Sequence, residues 1–159
     1  MAYKIQKMNF NKAVEVVLYI AQNTPIPDVY HIGKILYFAD KLHLEKYGRQ
    51  INGDTYYAFD YGPAPSETLD LMNEHKLVFK REQNAIIPHR ETNHDFFSDS
   101  DIECLNESIE MYGNMSFEDL KNASHDTAYN NTPLNKPIKI DDVIKTLSNS
   151  EDLLEYLEI

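Results

Sequence analysis

The chain is short of several residue types, and each shortage excludes something. It has one cysteine, Cys104. A single thiol closes no intrachain disulfide and builds no thiolate zinc cluster, so a reducing, cytoplasmic compartment is the simple reading. Five glycines in 159 residues leave few places for a backbone phosphate cradle. No P-loop, dinucleotide-binding fingerprint or G-x-S-x-G elbow is present. No apolar run approaches the roughly 20 residues a membrane-spanning helix needs; the longest is the short stretch from Val16 to Ala21. The opening Met-Ala-Tyr-Lys-Ile-Gln-Lys lacks an apolar leader core and a small-residue cleavage site, so no secretory leader is expected. Basic residues are also scarce, 15 against 26 acids, for a net charge of -11. Nucleic-acid phosphates demand clustered Lys and Arg, so nucleic acid is a poor partner for this composition.

What is present suits one folded domain. Hydrophobic residues make up 42%, and 11 Tyr and 7 Phe replace the missing Trp as large core residues. The charge is unevenly placed. Residues 1–90 carry 11 basic and 10 acidic side chains, whereas residues 91–159 carry 4 and 16. The first stretch is near neutral and the last is strongly acidic, which asks for an explanation.

Asn9 can cap a helix over about Phe10 to Gln22, with Phe10, Ala13, Val14, Val17 and Ala21 on its apolar face. Pro25 and Pro27 break it. Asp28 starts a longer helix to about Tyr47, with Gly48 as its left-handed stop. That helix is long enough to be the spine of the domain. Asp54 to Tyr61 alternates aromatic and polar types and predicts a short strand. Gly62, Pro63 and Pro65 predict a rigid turn, then a helix from Pro65–Glu67 to about His75. Leu77–Lys80 and Ala85–Pro88 predict a hairpin. Further helices are expected after Ser98, after Ser116 and after Ser150, with a short amphipathic piece over Ile140 to Leu147. The expected fold is α+β, mainly helical, with a small antiparallel sheet or hairpin.

Candidate chemistry is sparse. His31 and His43 are twelve residues apart on one helix and cannot share a metal through local spacing. His89, Glu91, His94 and Asp95 flank a turn and suit a solvated loop better than a metal site. Cys104 with His125 and Asp126 supplies the residue types of a thiol nucleophile, but a Cys beside Leu105 in a helix more often fills the core. Lys34, Lys41, Lys46 and Arg49 alternate with Asp40 and Glu45, which suits a solvated, ion-paired face better than a DNA-reading helix. Two segments remain unusual. One is Tyr61-Gly62-Pro63-Ala64-Pro65-Ser66, and the other is Ser124-His125-Asp126-Thr127-Ala128-Tyr129.

At these residues a family resemblance emerges. Lys34-Ile35-Leu36-Tyr37-Phe38-Ala39-Asp40, then His43, then Tyr47-Gly48-Arg49-Gln50-Ile51 resembles the K-L-L-Y-x-A-[DQ] … H … Y-G-[KR]-P-[IL] run of the Panacea domain, the SocA-like, phage-associated GepA-like family. Gly53-Asp54-Thr55-Tyr56 with Ala58 resembles its G-D-x-[YF]-x-A block. Tyr61 to Ser66 resembles its Y-G-P-V-[PV]-S turn, and Ser124 to Tyr129 its terminal S-H-x-x-x-W block. The blocks keep the family's order over about Ile32 to Thr132. The departures are Gln50 for Pro, Ala64 for Val and Tyr129 for Trp.

The resemblance implies an antitoxin of a toxin–antitoxin pair, which neutralises by direct binding a protein toxin encoded by an adjacent gene. It also implies, as an alternative role, an adaptor that delivers the toxin to a ClpXP-type protease. It implies a helical fold with a small sheet and supplies no cofactor and no catalytic residue to carry over; from the residue spacing no metal is expected. A domain over 1–132 with an acidic extension over 133–159, packed on it or continuing it, follows from the extent of the match. The motif and contact candidates are Lys34, Tyr37, Arg49, Tyr56, Tyr61, Gly62, Pro63, Pro65, His125 and Asp126. Tyr37 and Tyr56 suit a core position equally well. A hydrolase or transferase site around Tyr61, His125 and Asp126 is the enzymatic alternative.

Overall fold

The computed structural model describes residues 7–74 and 77–159. Among them are eight α-helices, one 3-10 turn and two two-stranded antiparallel sheets, the α+β class expected. Helix α1 (Phe10–Asn23) starts where the Asn9 side chain accepts from the Lys12 amide. The apolar face read from its sequence is too narrow. Phe10 is 48% exposed, while Val16, Leu18 and Ile20 are buried along with the other four predicted positions. The reason is that α1 is enclosed by other elements on several sides, including β4 (Ala85–Pro88). Even Glu15 is buried, held by the two terminal guanidinium nitrogens of Arg90 at 2.8 and 2.7 Å and by the Asn93 amide.

Helix α2 (Val29–Tyr47) is the axis of the molecule, roughly 28 Å long. Asp28 caps it by accepting from the His31 amide at 2.7 Å, and Gly48 ends it at φ +77°. It packs against α1, against α3 (Ser66–Asn73), α4 (Asp99–Tyr112), α5 (Phe117–Ser124) and α7 (Ile140–Ile144), and against strand β2 (Gly62–Pro65). The basic residues along it do not pair with Asp40 or Glu45 as helical spacing predicts. Lys41 reaches Asp126, Lys46 reaches Glu107 and Arg49 reaches Asp101.

Strand β1 (Tyr56–Phe59) pairs with β2, so Gly62–Pro65 is a strand and not the plain turn its prolines suggest. Pro63 and Pro65 fall at alternate positions and carry no amide donor, which leaves Gly62 and Ala64 to supply the strand's own donors. The turn is Asp60-Tyr61, between Phe59 and Gly62. Residues 135–138 lie along the other edge of β1, with bonds between Ala58 and Lys136, Asn135 and Ala58, and Ile138 and Tyr56. Helix α3 begins at Ser66 as expected and ends at Asn73; the predicted end at His75 lies outside the described residues. The second hairpin pairs β3 (Phe79–Glu82) with β4, two residues later than read for its first strand.

Helix α4 carries a full capping box between Ser98 and Asp101, and α5 is capped by Ser116. Asp126 caps the one-turn helix α6 (Thr127–Asn130). The last helix, α8 (Ser150–Leu157), begins at Ser150, but its cap position belongs to Asn149, not Ser150. The Asn149 side chain instead donates to the Glu45 carbonyl at 2.8 Å.

Candidate functional site

The predicted site residues gather around α2; two pairs of them are bonded to each other through side chains, Tyr37 to Asp126 and Lys34 to Pro63, and others are bonded to neighbouring motif residues. Asp40 is buried and accepts from the Ile51 amide at 2.7 Å and the Tyr56 hydroxyl at 2.5 Å. Burial pushes its pKa up to about 7; these two hydrogen bonds oppose the shift and the Asp54 charge adds to it. Asp54 works at the start of α3, where Pro65 offers no capping side chain. Its carboxylate accepts from the amides of Glu67 and Thr68 and from the Thr68 hydroxyl. His43 is fully buried between the Arg49 carbonyl at 2.8 Å and the Ser100 hydroxyl at 2.9 Å, and burial holds its pKa below the usual histidine value.

The same holds for the last motif block. The Tyr37 hydroxyl donates to Asp126 Oδ2 at 2.6 Å, and Lys41 Nζ donates to the same oxygen at 2.9 Å. The other oxygen, Oδ1, accepts from the Tyr129 amide and so starts α6. Tyr129 stacks on His125 with ring centroids 4.3 Å apart and donates to the Phe59 carbonyl at 2.6 Å. A tyrosine at this position thus ties the C-terminal block to β1 through its hydroxyl. His125 has a lowered pKa, from burial and from the Lys34 and Lys121 charges, and its Nε2 is buried with no hydrogen-bond partner among the described residues.

Exposure separates the aromatic candidates. Tyr37 and Tyr56 are 1% and 4% exposed, so neither is a surface anchor. They meet edge to face, 5.0 Å apart, inside the core. Tyr61 is 49% exposed and sits at the β1–β2 turn. It packs edge to face on Tyr30 at 5.7 Å and Phe117 at 5.3 Å, and those two meet at 5.4 Å. This aromatic triad joins the first turns of α2 and α5 to the hairpin. Sequence reading missed Tyr30 and Phe117, because nothing along the chain links positions 87 residues apart. Arg49 is partly exposed but engaged with Asp101, Ser98 and the Gln50 carbonyl.

Beneath the triad, β2 and α2 enclose a cavity of about 140 Å³. Lys34 is its one charged lining residue, 4% exposed, with Nζ 3.3 Å from the Pro63 carbonyl. Gly62, at φ +113°, lies against this amine. A Cβ there would stand 3.1 Å from Lys34 Nζ and 2.5 Å from Ser124 Oγ, so only glycine fits.

The residues of the enzymatic alternative do not form a catalytic chain. Among the described residues no hydrogen bond joins Tyr61, His125 and Asp126, and the Asp126 carboxylate is committed to Tyr37, Lys41 and the α6 cap. Cys104 is buried, and burial pushes its pKa up to about 11, away from thiolate chemistry. Among the described residues no three His, Cys, Asp or Glu side chains converge on a metal position, and His94 packs on Tyr19 and Phe97. No helix among them is long and apolar enough to cross a membrane.

The described residues form a helical scaffold with internally bonded motif residues and an aromatic cluster at one turn. Residues 32–130 match the family model described as antitoxin SocA-like, Panacea domain. The chain belongs to that antitoxin-like family. No curated protein and no solved structure matches it.

Proposed function

We propose that this protein is the antitoxin of a toxin–antitoxin pair and neutralises a cognate protein toxin by binding it directly. The family match over residues 32–130 carries this reading. The motif residues support it in an indirect way. Asp40, Asp54, His43, Tyr37, Tyr56 and Asp126 are spent on holding the scaffold, so recognition falls to the surface the scaffold presents. The best-formed anchor on that surface is Tyr61 with Tyr30 and Phe117. Large aromatics with a polar tip dominate protein interfaces because they bury much area at little entropic cost. The acidic second half adds a field that steers a basic partner inward.

The toxin is encoded beside this protein in the proposed arrangement. Co-expression with the neighbouring open reading frame tests it. The neighbour alone arrests growth, and growth returns when this protein is present. A neighbour that is harmless alone, or that still arrests growth in its presence, removes the reading.

A further inference from the structure

We propose that the cavity between α2 and β2 is a binding site for a small monocarboxylate on a short apolar stem, with the Lys34 ammonium as its receptor.

Lys34 presents a buried amine with no counter-charge. Among the described residues no carboxylate lies within ion-pair reach of it, and residues 1–6 and 75–76 contain no acid. Among the described residues its one hydrogen-bond acceptor is the Pro63 carbonyl, which leaves at least two of its three donors without a partner there. Burial alone lowers its pKa to about 8, and no neighbouring acid offsets that. An isolated buried ammonium is costly, and one that borders a cavity is a candidate for pairing with a bound anion. The surroundings specify the rest. The walls are Val29, Gly33, Phe59, Ala64, Pro65 and Leu69, all without a charge. A volume of about 140 Å³ is several times what one water requires. One cation, no second charge and apolar walls select a single negative group on a hydrocarbon stem. A phosphate, with two charges and more acceptor oxygens, suits this lining less well.

The probe is butyrate, titrated into the isotope-labelled protein at pH 7, where Lys34 keeps its proton. Butyramide, nearly the same shape without the charge, is the control. The expected result is a saturable shift of the Gly33 and Gly62 amide resonances with butyrate, at least tenfold weaker with butyramide. Lys34→Met removes the response. Ala64→Leu, which fills the cavity from β2 and keeps the amine, also removes it and serves if the first variant fails to fold. No saturable shift, an equal response to butyramide, or an unchanged response in both variants overturns the proposal. Growth rescue then separates the source of the carboxylate. Lys34→Met that loses butyrate binding yet still rescues assigns the site to a free acid. Loss of both assigns it to an acidic side chain of the partner. The titration needs no toxin, so its failure is distinct from failure of the antitoxin reading.

Discussion

Lys34 and Asp40 lie on the same helix and are both buried ionisable groups, but they are compensated differently. Among the described residues Lys34 has a lone carbonyl for a partner, so its buried charge is expected to weaken the fold. Lys34→Met, close in volume, is expected to raise stability at pH 7 by about 1 kcal/mol, roughly 2–4 °C in Tm. A Tm that falls would mean the amine is stabilised by contacts other than Pro63. Asp40 accepts two hydrogen bonds, yet burial still raises its pKa to about 7 from 3.8. The folded chain therefore binds a proton between about pH 4 and 7 that the unfolded chain releases. Stability from Asp40 is full below pH 4 and is lost as pH rises through 7. Urea unfolding of the wild type and Asp40→Asn across that range checks it. The wild type is expected to lose ground steadily to the variant, and a constant difference would contradict the assignment. Neither group's burial was legible in the sequence, where both read as members of an ion-paired helical face. Local spacing names neighbours along a helix; it does not say which face other helices will cover.

Among the elements, α4 shows how a cap becomes a junction. Ser98 and Asp101 were readable as a helix start, and they form one. Unreadable was that the Asp101 carboxylate is also met by Lys12 from α1 at 2.8 Å and by Arg49 from beyond α2 at 3.0 Å. Burial alone would raise its pKa, but Lys12, the Ser98 amide and Arg49 outweigh that and hold it low. Asp101→Ala takes the buried counter-charge from Lys12, one partner from Arg49 and the reciprocal half of the capping box, and is expected to cost about 3 kcal/mol in chemical denaturation. A cost below about 1 kcal/mol would reduce Asp101 to an ordinary cap. Helix boundaries marked by Asn9, Asp28, Gly48, Ser98 and Ser116 were legible because capping chemistry is local. Strand β2 was not, because its two prolines signal a turn and its pairing depends on β1. Asp54 illustrates the same limit. Its role at the start of α3, thirteen residues on, is set by the hairpin folding back.

At the scale of the whole molecule, the proposed recognition divides between steering by the uneven charge and anchoring by the aromatic triad. The acids of residues 91–159 far outnumber their bases, while the triad sits where the near-neutral half meets α5. If the acidic half steers a basic toxin, raising salt slows association markedly and changes dissociation much less. Stopped-flow mixing at low and high ionic strength reads this, and a salt-independent on-rate removes the steering role. The motif blocks were legible as a family scaffold, but which of their residues face outward required the fold. Tyr61 proved exposed; Tyr37 and Tyr56 did not. The most direct test of the account is calorimetric titration of the purified protein with the toxin purified from the neighbouring gene. The account predicts saturable, stoichiometric binding that Tyr61→Ala weakens at least tenfold, consistent with an interfacial aromatic anchor. Rescue of growth without any detectable binding between the two purified proteins would contradict neutralisation by direct contact.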